Sequence, residues 1–317
     1  MNLKHAAAAL ALTSLVAAGA AQAAPKEITV AIASTFTTLD PYDASDTLSQ
    51  TASKSFYEGL FTFDKDMKVI DALATDYKVT DDGLVYTVTL RKGVKFHDGS
   101  EFQADAVKAN FDRVTNKANG LKRYMLYQNI EKTEVVDPYT VRFTLKKPFS
   151  SFINQLAHPA GVMICPSTLA NKTNKQIAFE PCGTGPYTLD KYNPSEGMRV
   201  VKNPNYWQAG FPKLDAINWK PVVENSTRVA MLLTGEAQFA FPLPAEQVKQ
   251  VQGKDQVRLD ITPSIILRYV EMNMSKKPFQ DKRVREAFNY AINKEALCKV
   301  AFAGYADPAT GYAPAAI

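Results

Sequence analysis

Two histidines, three cysteines and a glycine-rich loop are the residues of this chain best suited to chemistry, and their spacing limits what they can do. His97 and His158 are the only imidazoles beyond the first residues, where His5 sits. A Ser-His-Asp or Cys-His arrangement therefore has few ways to form. His97 belongs to the run His97-Asp98-Gly99, whose composition suits a surface turn better than a general base. No CxxC or HExxH spacing occurs, so the usual metal motifs are missing. Gly183-Thr184-Gly185 is followed by Pro186 and Tyr187, where a phosphate loop needs a third glycine and a helix start. A tight crossover between subdomains, where glycine permits the backbone path, explains that loop better. Asp81 and Asp82 are adjacent in a turn, with no burial to split their pKa values. Cys165 and Cys182 lie either side of a short helical stretch. A bridge between them would close a loop worth about 3 kcal/mol by the chain-entropy argument, although spacing leaves open whether the Cβ atoms meet. Cys298, among Ala296, Leu297, Val300 and Ala301 on a helical pattern, reads as a small buried side chain. Neither catalysis, nor a metal, nor a cofactor is expected.

The ends and the composition set the surroundings. Lys4 precedes an apolar run from Ala6 to Ala18, and Ala21-Gln22-Ala23 presents the small residues of a signal-peptidase site, so residues 1–23 read as a leader cleaved after Ala23. Export to the periplasm follows, and no cysteine after that site invites a lipid anchor. No later stretch approaches the roughly 18 apolar residues of a spanning helix. The formal net charge of +5 falls to +4 without Lys4. Its pairs, Lys146-Lys147, Lys276-Lys277 and Lys282-Arg283, are interrupted by acids, which argues against a nucleic-acid reader and for solvated faces. A chain of 317 residues with 46% hydrophobic residues exceeds what one compact core usually holds.

The elements that must position these residues are legible in the periodicity. Ile28–Ala33 reads as a buried strand, and Thr47–Leu60 as a helix capped by Asp46. Leu84, Tyr86, Val88 and Leu90 alternate with Val85, Thr87, Thr89 and Arg91, the period of a strand with one buried face, fed by an Asp82-Gly83 turn. Ala104–Phe111 takes up helical spacing. Thr133–Val136, the turn Asp137-Pro138 and Tyr139–Leu145 form a hairpin, with Tyr139, Val141, Phe143 and Leu145 on one face. Strands at Ala216–Trp219 and Gln238–Phe241 flank a helix at Ser226–Gly235, a rhythm suited to a mixed sheet.

The segment Leu73–Phe111, reading LATDYKVTDDGLVYTVTLRKGVKFHDGSEFQADAVKANF, resembles the signature of the peptide-type (family 5) solute-binding proteins of bacterial ABC importers. The loop Gly183-Thr184-Gly185-Pro186-Tyr187, the run Asn203-Pro204-Asn205-Tyr206-Trp207, the helix Arg228–Ala237 (RVAMLLTGEA) and Pro278–Ile292 (PFQDKRVREAFNYAI) fall in the same order as in that family. Together they run from about Ile28 to the last residue. Thr37–Ala44 and Leu121–Tyr124 are most similar to the glutathione-binding members.

The resemblance implies an α/β, type II periplasmic-binding-protein-like fold, bilobal with an inserted subdomain. It divides the chain into a first-lobe core at 24–66, an inserted subdomain at 67–184, the rest of the core at 185–270, and a hinge strand with the start of a second lobe at 271–317. Arg268–Asn273, RYVEMN, resembles the strand that crosses into that lobe. The second lobe would be largely missing after the Pro-, Gly- and Ala-rich tail 307–317, as in a C-terminally truncated fragment, and the helices of 278–301 would keep uncovered apolar faces.

The implied function is that of a monomeric, soluble, non-enzymatic receptor passing a small peptide, glutathione or a dipeptide, to an inner-membrane ABC permease. Another oligopeptide, nickel or haem is the alternative inside the family; a periplasmic hydrolase or chaperone is the alternative outside it. The candidate ligand contacts are Ser45, Asp46 and Thr47, for which a helix cap is the commoner reading; Arg123 and Tyr124, otherwise a surface pair; His158; and Arg268, which either reaches the cleft or pairs with Glu271. Tyr42 and Tyr57 are more readily core than cleft.

Overall fold

The computed structural model describes residues 26–262, 264 and 266–311. The leader expected at 1–23 and its cleavage after Ala23 lie outside the described residues, as does the tail from 312 on. β1 (Glu27–Ile32) is the β-branched run EITVAI, and its last three residues are buried. α1 (Thr47–Ser53) begins where the Asp46 carboxylate accepts the Ser49 N–H at 2.8 Å. It ends at Ser53, short of the expected Leu60, because the carbonyls beyond it serve other segments. Ser55 and Phe56 accept the N–H groups of Tyr187 and Gly185 at 2.9 and 2.8 Å, and Glu58 accepts that of Met163 at 2.9 Å. Backbone acceptors already taken by a returning chain cannot also continue a helix.

Next comes a small antiparallel ribbon of β2 (Phe61–Phe63) and β3 (Val69–Asp71). β4 (Ala74–Val79) and β5 (Val85–Leu90) then join, through the turn at Gly83, whose φ of 68° suits glycine. α2 (Ala104–Thr115) and α3 (Tyr124–Tyr127) lead to the hairpin of β6 (Ile130–Asp137) and β7 (Thr140–Leu145). The result is an antiparallel sheet of order β4-β5-β7-β6. Its buried face carries Tyr86, Val88, Leu90, Val141, Phe143 and Leu145, the alternation read from the sequence. α2 lies across β6 and β7, its Phe111 ring 5.0 Å from Phe143 and 5.4 Å from Tyr127.

Three short helices, α4 (Phe152–Leu156), α5 (Pro166–Asn171) and α6 (Asn174–Ile177), close this half. The chain then builds a mixed sheet from β8 (Tyr187–Asn193), β9 (Gly197–Lys202), β10 (Ala216–Pro221) and, after α7 (Asn225–Thr234), β11 (Phe239–Phe241). The order is β11-β1-β10-β9-β8, with β1 parallel to both β10 and β11. α7 stops at Thr234 rather than Ala237, because Gly235 takes a left-handed C-cap with φ of 78°.

The two sheets meet at the Gly183–Gly185 crossover. A Cβ on Gly183 would stand 2.3 Å from the Phe56 carbonyl oxygen, and one on Gly185 would stand 2.5 Å from the Phe56 carbonyl carbon. Neither glycine adopts positive φ, so close approach, not backbone freedom, demands them. Cys165 and Cys182 are bridged, with Cα atoms 5.4 Å apart, and the Cys165 N–H donates to the Cys182 carbonyl. His97 corrects the surface-turn expectation. It is half-buried, its Nδ1 accepts the Gly183 N–H at 3.3 Å, and its Nε2 lies 3.0 Å from the Gly185 carbonyl. The turn histidine is a clasp on the crossover.

Beyond α8 (Val248–Val251) the packing thins. RYVEMN (268–273) pairs with no strand among the described residues, against expectation, since a strand needs a ladder partner and none lies alongside. α9 (Lys277–Gln280), α10 (Lys282–Ala291) and α11 (Lys294–Ala301) form as the local pattern predicts, capped at Asp281 and Asn293, yet none of their residues is buried. Cys298 is accordingly half-buried rather than a core side chain, and it is free.

Candidate functional site

Most of the expected site residues come together where the start of α1 meets the start of α3. The loop between β1 and α1 is fixed from below by a buried ion pair. Asp40 accepts both Arg113 Nη groups, and Arg113 also donates to Asn174 Oδ1 at 2.8 Å. The two side chains are only 1% and 9% exposed. Asp40 accepts the Tyr42 N–H as well, at 3.0 Å. Tyr42 and Tyr57 are fully enclosed, which assigns both to the core. Burial pushes both phenols far above their ordinary range, so they act only as neutral groups.

Ser45 and Thr47 are exposed on this platform, and Asp46 is half-buried between them. Burial opposes ionisation of Asp46, but the Thr37 hydroxyl and the Ser49 N–H and hydroxyl outweigh it and hold the carboxyl below its usual range. Both of its oxygens have protein partners, Thr37 on one and Ser49 on the other. The cap role is thus occupied.

Arg123, directly before α3, reaches back to this loop. Its N–H donates to the Tyr42 carbonyl at 3.1 Å and its Nε to the Ala44 carbonyl at 2.8 Å. Tyr124 beside it is half-buried. His158 is half-buried after α4, and its Nδ1 accepts the Ala160 N–H at 3.0 Å. Burial, with the Arg123 cation adding to it, pushes the ring down to about 4, so it is neutral at any pH above that. Arg268 stands apart. It is exposed and lines a separate groove of about 490 Å³ with Phe241, Pro242, Val248, Leu259 and Tyr305, and no ion pair joins it to Glu271 among the described residues.

Sequence reading missed Glu58. This half-buried carboxylate accepts Thr184 Oγ1 at 2.9 Å, Tyr206 Oη at 2.7 Å and Trp207 Nε1 at 2.9 Å, with the Arg91 guanidinium 4.5 Å over the Trp207 ring. Burial raises its pKa despite those donors. Glu58 thereby locks the crossover to the Asn203–Trp207 run. The signal available in sequence was an acid in the apolar stretch Phe56–Phe61, followed by a distant Tyr-Trp pair. As for metals, Asp98, Cys165 and Cys182 bring ligand atoms within 4.8 Å of one another, but both sulfurs are consumed by the disulfide. Among the described residues no helix is long and apolar enough to cross a membrane.

The family described as bacterial extracellular solute-binding proteins, family 5 middle, matches residues 68–317. Glutathione-binding protein GsiB of Salmonella choleraesuis (strain SC-B67) is 60% identical over 310 residues, 98% of this chain and 60% of that protein. The protein of the same name from Escherichia coli O1:K1 / APEC is 59% identical over 294 residues, 93% of this chain and 57% of that one. Among solved structures, the ABC transporter-associated periplasmic binding protein DppA from Helicobacter pylori, in complex with peptide STSA, superposes with a TM-score of 0.85 at 29% identity. That match covers 92% of this chain and 62% of the other. The chain spans about 60% of the length of the curated relatives it matches.

Proposed function

This chain belongs to family 5 of the bacterial extracellular solute-binding proteins, and from that membership we propose that it is part of a periplasmic receptor that captures glutathione and delivers it to an inner-membrane ABC permease. The observation that carries the reading is the 60% identity to a glutathione-binding protein over 98% of the chain. The fold is the α/β fold of type II periplasmic binding proteins. Within it, 24–66 and 185–270 are the core of one lobe, 67–184 its inserted subdomain, and 271–317 the hinge and beginning of the other lobe. The leader 1–23 directs export and is removed after Ala23. The receptor acts as a soluble monomer and leaves its ligand chemically unchanged.

The face built by Ser45, Thr47, Arg123, Tyr124 and His158 contacts the peptide, with Asp46 holding the loop, while Arg268 lines its own groove away from this face. Capture is a hinge closure in which ligand contacts to both lobes favour the closed form, a population shift that the permease reads. Isothermal calorimetry on the purified chain tests this. Stoichiometric heat with glutathione, exceeding that with simple dipeptides, and an unaltered ligand recovered afterwards are expected. Absence of heat with glutathione ends the assignment of ligand, and conversion of the ligand ends the receptor reading.

A further inference from the structure

A buried peptide carboxylate needs hydrogen-bond donors and positive charge, because enclosing that ion without them is costly. On the face described above, several donors are left over. Arg123 uses Nε on the Ala44 carbonyl, while its Nη1 and Nη2 have no protein partner among the described residues and keep solvent contact. His158 accepts the Ala160 N–H at Nδ1. A proton on Nδ1 would set two donors head to head, so the neutral ring carries its proton on Nε2. That Nε2–H also lacks a protein partner among the described residues and keeps solvent contact.

Tyr42 ties the two donor-bearing segments together. Its carbonyl accepts the Arg123 N–H at 3.1 Å, and its hydroxyl donates to the Val162 carbonyl, just after His158, at 2.9 Å. The nearby acids are spoken for. Asp40 is paired with Arg113, Asp46 is capped by Thr37 and Ser49, and Asp43 lies 3.9 Å from Lys122. We infer that the free Nη groups of Arg123 and the Nε2–H of His158 form a donor-only anchor for a carboxylate of the bound peptide. The inference rests on the receptor reading and adds which ligand group faces this lobe. The charge of the anchor resides on Arg123 alone, since burial and that cation keep the imidazole neutral. The imidazole contributes direction, the guanidinium attraction.

Nitrogen-15 spectra of the histidine side chains in the full chain give the first test. The Nε2–H tautomer is expected for His158, with a titration midpoint that rises when glutathione binds, because a carboxylate beside the ring favours its charged form. An Nδ1–H tautomer, or a midpoint that glutathione leaves unmoved while calorimetry shows it bound, overturns the anchor and leaves the receptor reading intact.

Calorimetry gives the second test. Arg123→Gln is expected to weaken glutathione binding roughly 10- to 100-fold, the range for hydrogen bonds to a charged group. The glutathione dimethyl ester, with both carboxylates capped, should bind the wild-type chain and this variant alike. Equal losses for acid and ester overturn the anchor. His158→Ala should also weaken the acid, and His158→Gln, which restores an N–H donor, should recover part of the loss. A wild-type chain that binds no peptide removes the receptor reading, and the anchor falls with it.

Discussion

The sheet β4-β5-β7-β6 and the helices α10 and α11 carry equally clear apolar stripes, yet only the sheet buries its own. Val88, Val141 and Phe143 are fully enclosed under α2, and Phe143 packs 5.0 Å from Phe111 and 5.5 Å from Phe152. In α10 and α11 no residue is buried, and Tyr290 and Val300 stay 93% and 86% exposed. Both regions obey their local pattern, with strands at period two and capped helices at 3.6. Local pattern decides which element forms. Stabilisation by burial requires a second surface, which α2 supplies to the sheet, whereas α10 and α11 bury none of their own residues against the described ones.

The widest gap between the two regions should come from truncating one aromatic in each. Phe143→Ala leaves a cavity in close-packed surroundings and is expected to lower the free energy of unfolding by about 3–5 kcal/mol in urea titrations. A loss below about 1 kcal/mol would break the contrast. Next in size is the bridge. Replacing Cys165 and Cys182 together by alanine should cost about 3 kcal/mol, since the bridge closes a short loop in the unfolded chain. Amide exchange should then quicken around Gly183–Gly185 and leave α10 and α11 unaffected.

Acid sharpens the comparison further, because both imidazoles, His97 and His158, lie in the first region. Burial lowers each below 6.5 in the folded chain, His158 to about 4. As pH falls below 6.5 the unfolded chain takes up protons before the folded one, so stability is full above that pH and is lost progressively toward about 4. The midpoint of unfolding followed at a series of pH values should fall in this window, and His158→Gln should flatten the curve. Amides of α10 and α11, with no histidine near them in sequence, should show no such dependence beyond the intrinsic chemistry of exchange. The smallest effect belongs to Phe288→Ala in α10, where the ring is 44% exposed and its aromatic partner among the described residues is Phe279. A change within about 0.5 kcal/mol is expected. A cost of several kcal/mol would show that this face is covered in solution.

What the sequence disclosed divides along the same line. The hairpin faces, the Asp46 cap, the Gly83 turn and the helices after Pro278 were legible, because each is written within a dozen residues of itself. The length of α1 was not, since its end is imposed by Gly185 and Tyr187 taking the Phe56 and Ser55 carbonyls. Glu58 stood out only as an acid in an apolar stretch, and its role was hidden for the same reason. Its partners Thr184, Tyr206 and Trp207 lie 126 to 149 positions away, and nothing in a local window pairs an acid with them. At the candidate site, sequence supplied the residue types of Arg123 and His158. The free Nη groups and the tautomer depend on what Ala44 and Ala160 already occupy, and only the folded backbone reveals that.

The grip of residues 55–59 on the returning chain has a consequence for how the molecule comes apart. Because the outgoing and incoming passes are knotted by hydrogen bonds at one point, a protease nick at the exposed Asp81-Asp82 bend would sever the backbone without freeing either fragment. The halves would travel as a single species until a denaturant parted them.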